Sequence, residues 1–285
     1  MKSYSPAPTT SIAWLAYFEH NRNALLEIPW HAGAELTARE RHAVARSLQE
    51  FQRGESSEGH HLHRYARDYA ARTGDHEYLQ ALELFIAEEQ RHARDLGRFL
   101  TLNGIPLVKA TFTDNVFREL RHVVGTLEIS IAVLITAEII AEVYYAAIGR
   151  ATNSSILLRL CEQIIQDERR HVQFQSQQLS RLRAGRGRLP FAMTLFLQRL
   201  LFMGACVVVW IFHRRALTAG GLGLKSFWSA ARRHFRAAFS PHRLQNAHAT
   251  APAYRGDLAL GDRIDPRDPS WSGRHPSRGQ PGLES

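Results

Sequence analysis

The sequence predicts an all-α protein, a four-helix bundle with an extra N-terminal helix before it and C-terminal helices after it. Three observations predict this. Apolar residues recur at alternating spacings of four and three over four long stretches, the signature of helices that each bury one stripe. Two of those stretches carry a Glu and a His three residues apart at stripe positions, Glu89 with His92 and Glu168 with His171. The two copies lie 79 residues apart, which reads as a duplicated helix pair.

Taken in order, residues 1–36 hold one short amphipathic helix, Ser11 to Leu26, with Ile12, Trp14, Leu15 and Phe18 to lay along a bundle. Pro29 and Gly33 break it. The bundle is expected over residues 37–182. Thr37 reads as an N-cap, with Glu40 completing a capping box. A single long helix is predicted from there to about Arg72. Its stripe runs Val44, Leu48, Phe51, then Glu55 and Glu58, then Leu62, Tyr65 and Tyr69, so two carboxylates interrupt an apolar seam.

Thr73-Gly74-Asp75 separates that helix from the second, whose stripe is Tyr78, Leu82, Phe85, Glu89, His92, Leu96 and Phe99. Asn103-Gly104-Ile105-Pro106 terminates it. A polar connection, Val108 to Asn115, leads to a third helix predicted from Val116 to Ile148. It is the most apolar of the four, so Glu138 and Glu142 stand out. Asn153-Ser154-Ser155 caps the fourth helix, which buries Leu157, Cys161, Ile164, Glu168 and His171 and ends near Leu182.

Residues 183–239 differ in character. Leu195 to Phe212 is strongly apolar, and a second short helix, Phe227 to Phe239, sets Arg232, Arg233 and Arg236 beside aromatic rings. The uninterrupted apolar run is shorter than the ~20 residues of a spanning helix. A fifth helix on the bundle, a helix in the membrane interface and a true span all remain open. Residues 240–285 lack apolar periodicity and are expected to be a disordered tail.

Charge follows the same division. The net charge is +9, yet no Asp or Glu occurs from Arg169 to Gly256. That region suits anionic partners, a phospholipid surface ahead of nucleic acid. Two cysteines, Cys161 and Cys206, are too few for a disulfide framework and too far apart for a zinc knuckle. The N-terminus lacks a signal-peptide pattern. A cytoplasmic protein is expected, peripheral at the inner face of the membrane if residues 183–239 meet lipid.

The chemistry lies at the polar stripe positions. Each Glu-x-x-His places a carboxylate and an imidazole on one face of its helix, one turn apart. Each pair is preceded by a stripe carboxylate at nearly equal distance: Glu58 lies 31 residues before Glu89, and Glu138 lies 30 before Glu168. In a bundle these six groups meet at one level. Four carboxylates ionised in an apolar interior are prohibitive without cations to neutralise them. Carboxylates with one imidazole per ion suit iron or manganese better than zinc, which favours tetrahedral sulfur and nitrogen. The candidate ligands are therefore Glu58, Glu89, His92, Glu138, Glu168 and His171, with Glu55 and Glu142 as alternates. Glu88 and Asp167 read as exposed or supporting groups, and His60, His61 and His63 as surface residues.

Two single-Glu helices combined with two Glu-x-x-His helices resemble the ferritin-like superfamily of di-iron and di-manganese carboxylate proteins, over residues 37 to 182. The resemblance implies two iron ions, with manganese as the alternative, O2 as a co-substrate and an external electron donor. No Cys-x-x-Cys pair is present for an electron-transfer module of the rubrerythrin kind. The first functional expectation is a monooxygenase, hydroxylase or oxidase acting on an unidentified, lipid-like substrate, as the similar quinone hydroxylases do. An iron-handling ferroxidase or peroxide scavenger is the second. A non-enzymatic helical module that binds membrane or nucleic acid is the third. A homodimer is compatible with each. Phe51, Phe85, Leu134 and Ile135 are expected around the site.

Overall fold

The computed structural model describes residues 8–56, 59–109, 125–184 and 187–239. They are all-α, with no strand among them. The helices are α1 (Ser11–Asn21), α2 (Ala38–Glu55), α3 (His60–Thr73), α4 (His76–Leu102), α5 (Leu127–Ile148), α6 (Ser155–Arg183), α7 (Arg188–Ala219) and α8 (Leu224–Ala238). A 3-10 turn, Trp30–Ala32, lies between α1 and α2 where Pro29 and Gly33 interrupt the chain.

The caps are those the sequence encodes. Thr37 Oγ1 accepts from the Glu40 amide at 3.3 Å, and the Glu40 carboxylate accepts from the Thr37 amide at 2.9 Å, closing the capping box of α2. Asp75 caps α4 and Ser154 caps α6 in the same way, each through its side chain to the amide three residues on.

One long helix from Thr37 to Arg72 does not form. α2 ends at Glu55, and the chain restarts at His60 after Gly59, which sits at φ +66. A Cβ there would lie 2.8 Å from Cδ1 of Ile86 on α4. A left-handed, closely packed residue of this kind is glycine's role, and the break is therefore built in. Glu58 lies outside the described residues, as do residues 110–124, which hold most of the polar connection and the predicted start of the third helix at Val116, and the tail from residue 240.

α2 and α3 both pack on α4, α5 packs along α6, and contacts of α4 with α6 and α3 with α5 join the two pairs. α5 is buried over most of its length, as its uniformly apolar sequence demands. α1 lies on α4, and its Trp14 and Phe18, one turn apart, insert against Phe174 and Phe85. The expected helix end at Leu26 falls short, because the last helical residue is Asn21.

The C-terminal helices are longer than the apolar runs. α7 begins at Arg188, so Pro190 falls in its first turn, where the missing N–H costs nothing. α7 packs on α2 and α5, and α8 packs on α5, α6 and α7. The turn after α7 presses against the end of α5. A Cβ on Gly220 would stand 2.1 Å from the Ala147 carbonyl oxygen.

Candidate metal centre

Two groups of side chains converge between α2, α4, α5 and α6. In the first, Glu55, Glu89, His92 and Glu168 each place a ligand atom within 4.8 Å of the others. In the second, Glu138, Glu168 and His171 do the same. Glu168 belongs to both. Glu89 also spans them, with Oε1 at 3.8 Å from His92 Nδ1 and 2.8 Å from His171 Nδ1. The two Glu-x-x-His carboxylates thus sit in the middle, between the two imidazoles, with Glu55 and Glu138 beyond.

The imidazoles are oriented from outside the cluster. His92 Nε2 lies 3.0 Å from Asp167 Oδ2 on α6, and His171 Nε2 lies 2.9 Å from Glu88 Oε2 on α4. A carboxylate accepts only, so in each neutral ring Nε2 carries the proton and Nδ1 keeps its lone pair, aimed at the cluster. Asn21, the last residue of α1, donates to both acids, at 2.6 Å to Glu88 and 3.0 Å to Asp167. Asp167 also accepts from Arg91 and Gln163. Burial would push its carboxyl up, but the His92 hydrogen bond and the charges of His92 and Arg91 hold it well below the ordinary range.

Inside the cluster the electrostatics run the other way. Burial first, and the Glu89 charge second, push Glu168 up to about 7. Glu55 and Glu138 are likewise raised well above the ordinary carboxylate range, again by burial first. Glu89 is also buried, but His171 and His92 beside it keep its carboxyl low. Burial opposes charge on both imidazoles, yet the surrounding carboxylates raise them.

The donor set fits metal ions on a further ground. Glu89 Oε1, His92 Nδ1, both oxygens of Glu138, Glu168 Oε2 and His171 Nδ1 are buried and none makes a well-aligned hydrogen bond, although Glu89 Oε1 and His171 Nδ1 approach to 2.8 Å. Buried polar atoms are satisfied as a rule, and here the unsatisfied ones face one another. Cations between them would satisfy the lone pairs and the charge together.

Of the sequence candidates, Glu89, His92, Glu138, Glu168 and His171 are brought together, and Glu55 joins them. Glu142 is not among them. Its Oε2 lies 3.1 Å from His234 Nδ1 and 3.5 Å from Arg169 Nε, on the side of α8. Glu88 and Asp167 are buried at 3% and 1% exposure, so they are not surface acids, and each lies against an imidazole of the cluster. His60 and His61 are exposed, and His63 pairs with Glu83 at 2.7 Å.

Sequence reasoning missed Asn21, Tyr145 and His213 as parts of the site. Tyr145 Oη donates to Glu55 Oε1 at 2.7 Å in full burial. Its position on the apolar stripe of α5 marked it only as core. Nothing local marks Asn21, which reaches the site only because α1 lies across α4.

A cavity of about 140 Å³ opens beside the four carboxylates. Phe51 of α2, Leu134, Ala137 and Ala141 of α5, and Val209 of α7 make its walls apolar. Phe85 and Ile135 are buried in the core without lining it. His213 of α7 and Glu50 of α2 also border the cavity. His213 Nδ1 is 2.9 Å from Ser47 Oγ, which is 2.8 Å from Tyr144 Oη, so the imidazole is fixed by a buried chain of hydrogen bonds.

Fold and site together define an all-helical protein whose interior carries Glu/His clusters able to hold metal. Comparisons with known protein families, with characterised proteins and with solved structures return no match.

Proposed function

We propose that the chain is a ferritin-like di-iron oxidoreductase that activates O2 against an apolar substrate. One observation carries this reading: the buried oxygens and Nδ1 atoms of Glu89, His92, Glu138, Glu168 and His171 converge within ligand distance of one another beside a cavity with apolar walls. Glu55, Glu89, His92, Glu138, Glu168 and His171 would hold two iron ions, which supply one-electron and O2 chemistry when bound.

The chain's own residues prepare the site. Glu88 and Asp167 keep the protons of both imidazoles on Nε2 and leave Nδ1 free for a metal. Phe51, Leu134, Ala141 and Val209 give the space where a substrate would lie its apolar wall, opposite the carboxylates. His213, neutral because burial lowers its pKa to about 4, offers a fixed hydrogen-bonding group at the edge of that space. An apolar molecule with one polar substituent matches this lining.

The test is metal content per chain with an optical spectrum in air, after expression with added iron, for wild type, Glu89→Ala and His171→Ala. About two irons per chain with an oxo-bridged ferric absorption is expected, lost in both variants. Iron-free protein from that preparation overturns the reading. With the site loaded, an electron donor and O2 should yield an oxidised apolar product. Consumption of peroxide without any organic product would assign iron handling or peroxide removal instead.

A further inference from the structure

We propose that the first half of α7 inserts into one leaflet of an anionic lipid bilayer and holds the protein at the membrane surface. Among residues 189–197 no side chain is buried, although Leu189, Phe191, Met193, Phe196 and Leu197 are each at least 40% exposed. At 100° per residue, Leu189, Met193, Phe196 and Leu197 share one side of the helix and Phe191 stands nearly opposite. A stretch exposed and apolar on opposite sides needs apolar surroundings on both. One neighbouring helix covers a single stripe, whereas a leaflet surrounds the helix. Nine residues rise about 13 Å, close to half of the ~30 Å hydrocarbon core.

From Gln198 onward α7 is tied to the body. Gln198 Nε2 donates to the Ala132 carbonyl at 2.8 Å and to Thr136 Oγ1 at 2.9 Å, and Phe202, Cys206 and Val209 are buried. The outward side stays apolar through Leu200, Met203, Val207 and Ile211, at spacings of three, four and four. One apolar surface therefore runs from Leu189 to Ile211.

Charge decides between lipid and a second copy of the chain. Every charged residue of α7 and α8 is basic. Arg199, Arg214 and Arg215 of α7 and Lys225, Arg232 and Arg236 of α8 are exposed. Two copies meeting through this region would bring like charges together with no acidic side chain between them, while anionic headgroups complement it. The metal centre plays no part in this inference, so metal-free and metal-loaded protein should behave alike.

The test is co-sedimentation with vesicles of phosphatidylcholine alone and of phosphatidylcholine with about a quarter phosphatidylglycerol, at low and raised salt. A fluorophore on Met193→Cys reports insertion, because the native Cys161 and Cys206 are buried. Expected are binding to the anionic vesicles, a blue shift of the label, and binding weakened at least tenfold in the doubly substituted Phe196→Asp, Leu197→Asp chain. Both side chains are exposed, and an unchanged helical circular dichroism spectrum would show that the variant folds. The proposal is overturned if wild type ignores anionic vesicles at low salt, or if the double variant binds as well as wild type. It is equally overturned if sedimentation without lipid shows a dimer that the double variant abolishes and vesicles do not displace.

Discussion

Glu88 of α4 accepts from His171 of α6 at 2.9 Å, and the relationship is returned across the same interface, where Asp167 of α6 accepts from His92 of α4 at 3.0 Å. Each acid directly precedes a Glu-x-x-His glutamate in sequence and serves the histidine of the other copy in space. The exchange ties the two helices together and sets the tautomer of both rings.

Removing one of these acids should therefore weaken metal binding without unfolding the protein. Glu88→Ala and Asp167→Ala are each expected to lower iron affinity about 10–100-fold, read by competition with a chelator of known strength. Unchanged affinity would mean that packing alone orients the rings.

Tyr145→Phe leaves Glu55 Oε1 without its donor in a buried position. A loss of about 1–3 kcal/mol is expected in urea denaturation of the metal-free protein, the cost of an unsatisfied buried acceptor. A variant as stable as wild type would show that Glu55 finds another partner.

His213 gives a pH dependence with a defined sign. Burial first, and the Arg46 charge second, lower its pKa from 6.5 to about 4. The unfolded chain then takes up the proton at higher pH than the folded one, so the contribution is fully present above about 6.5 and is lost as pH falls towards 4. The full shift is worth on the order of 3 kcal/mol. Denaturation midpoints should fall more steeply through that window for wild type than for His213→Gln, and parallel curves would refute the assignment.

Gly220→Ala and Gly204→Ala form a matched pair. At Gly220 the added Cβ meets the Ala147 carbonyl, and at Gly204, inside α7, it meets nothing within 4 Å. The first should cost about 1–3 kcal/mol or more by overpacking, and the second should be neutral or stabilising by about 0.5–1 kcal/mol. Thermal melts of both variants check this, and equal effects would contradict the close approach of the α7 turn to α5.

The sequence by itself determined the helical class, the caps at Thr37, Asp75 and Ser154, and the pairing of Glu89 with His92 and of Glu168 with His171. Those features are local. Apolar periodicity, a capping side chain and a three-residue spacing act within a turn or two of helix, and the same contacts form whatever the rest of the chain does. Tertiary structure decided what depends on partners distant in sequence. Ile86 of α4 crowds Gly59, and the break beside it ends α2 at Glu55, where no stripe periodicity marks an end. Glu142 meets His234 because α8 packs there and Arg169 because α6 packs along α5, and α1 brought Asn21 to Glu88 and Asp167 across 67 and 146 residues of chain. Burial made the largest difference. Glu88 and Asp167 look like surface acids in the sequence, and only the closure of α1 over α4 and α6 removed them from water and gave each an imidazole to hold.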